Sequence, residues 1–216
     1  MEFMANPWQS PLGYIVRHGE TGANADNCFR GWINWPLNEN GLSSCDAIAN
    51  FFSYERIGRV VSSDLDRAMA TAQAVMDAGG VACPYLSPDF NLRPWNIAAF
   101  AGQEKTAKNQ KRLQYYIDNP DERIPDGESL NEFRGRDVLM QYLSTPYEGL
   151  PTVIVTHTSN MTHLASLAED QNDMLPETDD IVGPGGIVAV YMDDQGKVRL
   201  VPRLGAIEAE VEPQAS

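Results

Sequence analysis

The sequence predicts a three-layer α/β sandwich, in which a mostly parallel central sheet with an antiparallel edge carries helices on both faces. Short runs rich in β-branched residues at 12–16 and 59–63 read as strands followed by helical stretches. The run at 152–156 is almost continuously apolar, as expected of a central parallel strand. Residues 186–192 and 197–201 flank Asp194-Gln195-Gly196, which indicates a hairpin at the sheet edge.

Length and composition favour a single domain. The chain has 216 residues, of which 43% are hydrophobic, so it can build one large α/β core. We expect one domain over residues 1–216, with loose tails at 1–11 and 205–216. No repeat or low-complexity block divides it.

The net charge of the chain limits the classes of partner that it can bind. A net charge of −14 and a pI near 4.5 argue against a general nucleic-acid or anionic-membrane surface. A small anionic substrate would need a local cluster of arginines. The sequence leaves the oligomeric state open, including a homodimer.

Cysteine usage and the N-terminus indicate a cytoplasmic protein. Cys28, Cys45 and Cys83 have no metal or redox spacing and read as reduced thiols. Residues 1–10 lack the basic region and apolar core of a signal peptide. No apolar run approaches membrane-spanning length.

The first half of the chain is predicted as strand, loop, helix, strand and helix. Strand 12–16 leads into Arg17-His18-Gly19, and 24–40 forms a long loop over the site. A helix begins at Asn40 or Gly41 and runs to about Tyr54. Ser63 or Asp64 caps the helix after strand 59–63. Its apolar stripe contains Leu65, Met69, Ala72, Val75 and Met76, and Arg67 lies off that stripe in the first turn.

The second half continues the alternation. We expect a strand near 81–86, a helix at 104–117 with a solvated basic face, and a turn-rich connector at 119–127. A helix then begins near Ser129, with Glu132 and Arg136 as an i,i+4 surface pair. Its inward residues are Leu130, Phe133, Met140 and Leu143. Strand 152–156 ends at His157, and a helix follows from 158.

Two strands each end in a histidine. In a parallel sheet the carboxyl ends of strands can meet at one crevice, so we expect His18 and His157 to share a site. Arg17 offers a planar fork that matches phosphate oxygens. The His18 imidazole can attack phosphorus at neutral pH, and Gly19 lets the backbone turn tightly. Arg67, beside a helix N-terminus, adds an anion-binding group.

Six motifs together resemble the histidine phosphatase superfamily, whose fold is phosphoglycerate-mutase-like. They are RHGETGAN at 17–24, FRGWINWPLNENG at 29–41, SSDLDRAMATA at 62–72, LRPWNIAAFAG at 92–102, PDGESL at 125–130 and VIVTHTSN at 153–160. They occur in the family's order, and their strand and helix contexts fit.

The resemblance implies a role for each matching residue. Arg17, Arg67 and His157 would clamp the phosphoryl group, and His18 would attack it and become phosphohistidine before water hydrolyses the intermediate. We expect the other nitrogen of His18 to donate to a carbonyl. We expect His157 to act as a donor, which protonation near a phosphate dianion would favour. Further substrate contacts are predicted from Asn24, Gly19, Thr21, Thr158 and Arg30. No metal or cofactor is needed, because the arginines and imidazole supply the positive charge. His163 matches no motif.

The chain departs from the family at the general acid. The two positions that carry a carboxylic acid in the family's branches are Pro94 and Thr158 here. Other carboxylates can substitute: the candidates are Glu20, Asp26, Asp89, Glu104 and Glu128, with Glu104 and Glu20 kept as weak choices.

Three functional alternatives follow. The favoured one is a metal-independent phosphatase for phosphate monoesters. The second is a phosphohistidine or phosphoanhydride phosphatase, whose leaving group needs little acid help. The third is a catalytically weak module that binds phosphoryl ligands. Mutase activity is less favoured, because no insertion that would hold a sugar-acid bisphosphate is recognisable between Gly102 and Asp126.

Overall fold

The computed structural model describes residues 10–83, 85–168 and 182–206, and in them six strands form one sheet. The strands are β1 (Gly13–Arg17), β2 (Arg59–Ser62), β3 (Leu86–Pro88), β4 (Thr152–Thr156), β5 (Val182–Met192) and β6 (Val198–Ala206). They lie in the order β3-β2-β4-β1-β5-β6. The first four are parallel, and β5 and β6 add an antiparallel edge beside β1, as predicted.

Helices cover both faces of this sheet. They are α1 (Gly22–Ala25), α2 (Glu39–Phe52), α3 (Asp66–Asp77), α4 (Ala107–Asp118), α5 (Leu130–Gly135), α6 (Leu139–Ser144) and α7 (Thr158–Ala168). Alternate residues of each strand point to opposite faces. Val16 of β1 packs with residues of α2 and α3, whereas Ile15 packs with residues of α6 and α7. The predicted three-layer sandwich is therefore present.

A third apolar cluster lies beneath the segments that follow β3. It contains Trp95, Phe100 and Phe133, and residues of α4 pack against it only in part. No residue of α4 is fully buried, which agrees with the predicted solvated face. This cluster anchors the 92–102 segment next to the strand ends.

Two predicted strand boundaries were wrong. The expected strand at 81–86 is not continuous: Val81 makes an isolated bridge with Ile57, and the ladder with β2 begins only at Leu86. The apolar residues at 81–86 predicted a strand there, but which residues pair is determined by the neighbouring strand β2. At the other end, β6 continues to Ala206, so residues 205 and 206 do not belong to a tail. The tails were predicted at 1–11 and 205–216. Of these, residues 1–9 and 207–216 lie outside the described residues.

The predicted helix from Ser129 is two helices. A helix begins near Ser129 as expected, with Ser129 as the cap of α5, but α5 ends at Gly135, and Asp137 accepts the Leu139 N–H as α6 begins. The predicted Glu132–Arg136 pair was also wrong. Glu132 accepts from the Ser129 N–H and from Arg123, so its carboxylate is already occupied.

Two bulk features accompany this fold. Cys28, Cys45 and Cys83 are free thiols. Within the described ranges, none of the helices has the length and apolar character needed to cross a membrane.

Candidate active site

Strand register brings the two histidines together. β1 and β4 are parallel with Arg17 opposite Thr156, so His18 and His157 leave neighbouring strands at the same level. The His18 N–H donates to the Thr156 carbonyl at 3.0 Å, which extends the ladder by one bond. The two rings lie with centroids 5.0 Å apart and are 1% and 2% exposed. The pairing expected from the sequence is therefore present.

His18 presents one nitrogen to the site. Its Nδ1 lies 2.7 Å from the Gly19 carbonyl oxygen, which can only accept, so Nδ1 carries the proton and Nε2 keeps its lone pair. Burial, followed by the charges of Arg67 and Arg30, lowers the pKa of His18 well below its usual value. The ring is thus neutral, as a nucleophile requires.

His157 is buried beside the arginines. Burial, the charge of Arg67, the neighbouring His18 ring and the charge of Arg30 lower its pKa well below the usual value. Protonation of His157 beside a phosphate dianion stays a prediction. Its Nε2 lies 2.8 Å from the Ser63 hydroxyl. Its Nδ1 is buried without a hydrogen-bond partner among the described residues.

Arg67 is the second residue of α3 and is buried. Its side chain, 1% exposed, donates to the carbonyls of Ile33 at 2.8 Å and Gly31 at 3.0 Å. Its Nε is buried without a partner within the described ranges. Burial, Arg30 and Arg93 lower its pKa to about 9, which leaves the guanidinium charged at neutral pH. Arg67 is therefore not a solvated surface arginine of the helix.

Arg17 occupies the last position of β1. Its side chain is buried, and Nη1 donates to the Val182 carbonyl at 2.9 Å. Its charge contributes to lowering the pKa of His18. The antiparallel neighbour β5 therefore fixes this guanidinium beside the strand-end histidine.

Gly19 serves packing rather than ligand contact. A Cβ at Gly19 would lie 2.7 Å from the Gly41 carbonyl oxygen, so the residue allows α2 to approach the loop. Its N–H donates to the Thr71 hydroxyl, which removes it as a backbone donor for a ligand. Thr21 is buried and donates to Asn24 Oδ1 from both its N–H and its hydroxyl. These contacts hold the Asn24 amide in place on α1.

Arg30 and Thr158 lie close to the histidines. Arg30 is half-buried, and its charge lowers the pKa values of His18, His157 and Arg67, so it belongs to the same positive cluster. Thr158 opens α7 directly after His157. Its hydroxyl oxygen is buried and has no partner in the part of the chain that the structure describes.

The candidate general acids are mostly engaged elsewhere. Hydrogen bonds from Asn38 and Asn40 lower the pKa of Glu20, which opposes holding a proton. Asp89 accepts from the Asn91 N–H and the Tyr142 hydroxyl, and Glu128 is ion-paired with Arg136. Asp26 and Glu104 are exposed, and the Glu104 backbone bridges Cys28.

Residues that the sequence reasoning missed hold the segment containing Pro94. Arg136 donates to the carbonyls of Asn91, Arg93 and Pro94 at 2.7–2.9 Å and pairs with Glu128. The Asn160 amide donates to the carbonyls of Leu92 and Arg93. Ser63 was predicted as a possible cap of α3, which was wrong, because Leu65 occupies that position; the Ser63 hydroxyl contacts His157 instead. The spacing between these residues carries no period that would have revealed them.

Side chains suited to a metal do not converge here. Among the described residues, no group of three or more His, Cys, Asp or Glu side chains could hold a metal ion. The cationic side chains of Arg17, Arg30 and Arg67 surround the histidines instead.

Comparison with known sequences identifies similar proteins. The family model described as "Histidine phosphatase superfamily (branch 1)" matches residues 13–201. The chain is 35% identical over 150 residues to "Probable phosphoglycerate mutase GpmB" of Serratia proteamaculans, covering 67% of this chain and 68% of that protein. A protein of the same description from Yersinia pestis is 32% identical over 127 residues, covering 57% and 58%.

Solved structures show the same fold. A mycobacterial glucosyl-3-phosphoglycerate phosphatase aligns with a TM-score of 0.71 at 19% identity, covering 90% of this chain and 98% of that one. The protein TTHB049 from Thermus thermophilus aligns with a TM-score of 0.62 at 28% identity, covering 90% and 98%. The overall fold is thus shared across distant sequences.

Proposed function

The chain belongs to the histidine phosphatase superfamily, branch 1, and from this premise we propose that it is a metal-independent phosphatase acting through a covalent phosphohistidine. One observation carries the proposal. Around the His18 ring, Arg67 Nε and His157 Nδ1 are buried polar atoms with no partner among the described residues. Buried polar groups are normally hydrogen-bonded, so a ligand with several acceptor oxygens would satisfy them. A phosphoryl group has this chemistry.

The proposed reaction has two displacement steps. His18 Nε2 attacks phosphorus, an N–P bond forms, and the bond to the leaving oxygen breaks with its electron pair. Water then attacks phosphorus in line, the N–P bond breaks, and inorganic phosphate and neutral His18 are restored. Arg17, Arg67 and His157 would hold the equatorial oxygens, which is where phosphoryl transfer needs positive charge and donors.

The substrate is proposed to be a small phosphorylated molecule with a good leaving group. Pro94 stands where the family resemblance places a carboxylic acid, and its ring offers no proton. Two other carboxylates already form ion pairs: Asp64 forms a bidentate pair with Arg93, and Glu128 pairs with Arg136. A missing general acid typically costs about 10²–10⁴-fold, and an aryl phosphate, a phosphoramidate or a phosphoanhydride needs it least.

Two other functions remain as competing proposals. The relatives described as probable phosphoglycerate mutases favour phosphoryl transfer between hydroxyls, which requires a long-lived phosphohistidine and a second anion site. A weakly catalytic phosphoryl-binding module is favoured by Pro94 and by Thr158. We further propose a cytoplasmic location, supported by the three free thiols, and no nucleic-acid partner, supported by the net charge of −14.

Trapping the intermediate tests the proposal. The wild-type protein, incubated with a reactive aryl phosphate and quenched in base, should carry base-stable, acid-labile phosphate on His18. Both label and hydrolysis should be lost in His18→Asn and should survive EDTA in the wild type. Label on another residue, or unchanged turnover in His18→Asn, would contradict the mechanism.

A substrate comparison separates the competing functions. Release of inorganic phosphate from aryl phosphate or phosphoramidate supports a phosphatase. Conversion of 3-phosphoglycerate to its 2-phospho isomer, with little phosphate release, supports a mutase. Saturable binding of vanadate or phosphate without either reaction supports a binding module.

A further inference from the structure

Within the described part of the chain, the hydroxyl of Ser63 is the group in contact with His157 Nε2, at 2.8 Å. Ser63 directly follows β2, and its N–H donates to the Val155 carbonyl of β4 at 3.0 Å, so the sheet ladder fixes its backbone. The residue is fully buried. A rigid strand end therefore presents the hydroxyl to the imidazole.

The direction of this hydrogen bond follows from counting protons. A hydroxyl has one proton and accepts further bonds, and a neutral imidazole has one donor and one acceptor nitrogen. The Ser63 oxygen lies 3.5 Å from the Leu65 N–H, a weak contact in which it can only accept. Among the described residues, the acceptor available for its own proton is His157 Nε2. Ser63 then donates, and the His157 proton resides on Nδ1.

This placement determines what His157 can do for a ligand. Nδ1 is the buried ring atom without a partner among the described residues. With a proton on it, a neutral ring still offers one hydrogen-bond donor. The opposite tautomer would face a phosphoryl oxygen with a lone pair and repel it.

We propose that Ser63 is a positioning residue that holds His157 in the Nδ1–H tautomer, so that an uncharged His157 donates a hydrogen bond to the phosphoryl group. The hydrogen bond from His157 to the phosphoryl group rests on the proposed function. The tautomer itself does not, because it is a property of the resting protein.

The tautomer is measured without turnover. The chain has three histidines, so long-range ¹H–¹⁵N spectra of ¹⁵N-labelled protein can be assigned with His18→Asn and His163→Gln. We expect His157 in the wild type to show a protonated Nδ1 and an unprotonated Nε2. Ser63→Ala should move both nitrogens toward the opposite or averaged pattern, and Ser63→Thr should restore the wild-type pattern.

Ser62→Ala is the matched control. Ser62 is equally buried, but its hydroxyl donates to the Ser63 carbonyl. Its removal should leave the His157 spectrum unchanged. A wild-type spectrum with a protonated Nε2, or one that Ser63→Ala does not alter, would overturn the proposal. If Ser63→Ala does not fold, Ser63→Cys replaces it, because a thiol is only a weak donor and should hold the wild-type pattern less well.

Kinetics then test the consequence for catalysis. For metal-binding histidines, loss of the residue that orients the ring typically costs about 10–100-fold in activity. We expect Ser63→Ala to lower kcat/KM by about this factor, mainly through kcat, with recovery in Ser63→Thr. An altered spectrum with unchanged kinetics would refute the catalytic role. An inactive wild type with the expected spectrum would instead count against the proposed function.

Discussion

His18 and His157 lie with ring centroids 5.0 Å apart because they follow paired positions of two parallel strands, Arg17 of β1 and Thr156 of β4. Each ring also has one nitrogen engaged by the protein, His18 Nδ1 with the Gly19 carbonyl and His157 Nε2 with the Ser63 hydroxyl. The opposite nitrogens remain for a ligand. One ring is thereby prepared to attack and the other to donate.

Arg67→Ala should lower kcat/KM for an aryl phosphate by about 10²–10³-fold, because it removes an oriented donor to charge that develops in the transition state. It also frees the carbonyls of Gly31 and Ile33. Steady-state kinetics measure the loss. The control is Arg56→Ala, since Arg56 lies on the protein surface rather than beside the histidines. Equal effects of the two substitutions on kcat/KM would show that Arg67 is not part of the active site.

Pro94→Glu should raise kcat/KM for alkyl phosphates by up to about 10²-fold while aryl phosphates with acidic phenols change little, because a supplied proton matters most for a poor leaving group. The Pro94 carbonyl contacts with Trp32 and Arg136 survive the substitution, since they involve the backbone. The measurement is kcat/KM for a series of alkyl and aryl phosphates whose leaving groups differ in pKa. Pro94→Gln, which has a similar shape and no proton to give, should show no such selectivity. A uniform change across all substrates would argue against acid catalysis.

Stability should fall as the pH is lowered from about 7 to 5.5. The unfolded histidines take up protons near pH 6.5, whereas burial holds the pKa values of His18 and His157 well below that in the folded state. The unfolded state then binds more protons. For each neutral histidine the free energy of unfolding falls with a slope that approaches about 1.4 kcal/mol per pH unit only once the pH is below about 6.5. Above pH 7 both states are neutral and this contribution vanishes.

Urea unfolding across this range measures the slope. His18→Asn should reduce the slope by the share of one histidine, because asparagine does not titrate. Stability that stays flat or rises on acidification would show that the two rings are not held neutral.

Arg136→Ala should destabilise the fold by about 3–5 kcal/mol, since removing one partner leaves a largely buried carboxylate without its counter-ion. Arg136 and its partner Glu128 are only 12% and 14% exposed, and Arg136 also binds three carbonyls of the 91–94 segment. Arg123→Ala is the matched control. Its pair with Glu132 is 64% and 45% exposed and should contribute about 1 kcal/mol or less. Similar losses in urea unfolding would mean that Arg136 does not hold this segment.

Local sequence patterns predicted most of the architecture. The apolar run at 152–156 is β4 with the same bounds, because a strand covered on both faces must be apolar throughout. The hairpin was predicted from Asp194-Gln195-Gly196, and β5 and β6 flank it. Periodicity alone did not predict the bounds of β3, because they depend on pairing with a strand distant in the sequence. It also did not predict that the helix after Ser129 ends at Gly135.

The chain order alone was enough to place a histidine at the end of each of two buried strands and to nominate Arg17 and Arg67 beside them. The tertiary structure decided how each group is held. The Ser63–His157 contact joins residues 94 positions apart, and Arg136 reaches a segment more than 40 residues away. Protonation was decided in the same way, because desolvation and neighbouring charges act through space, and no local pattern records them.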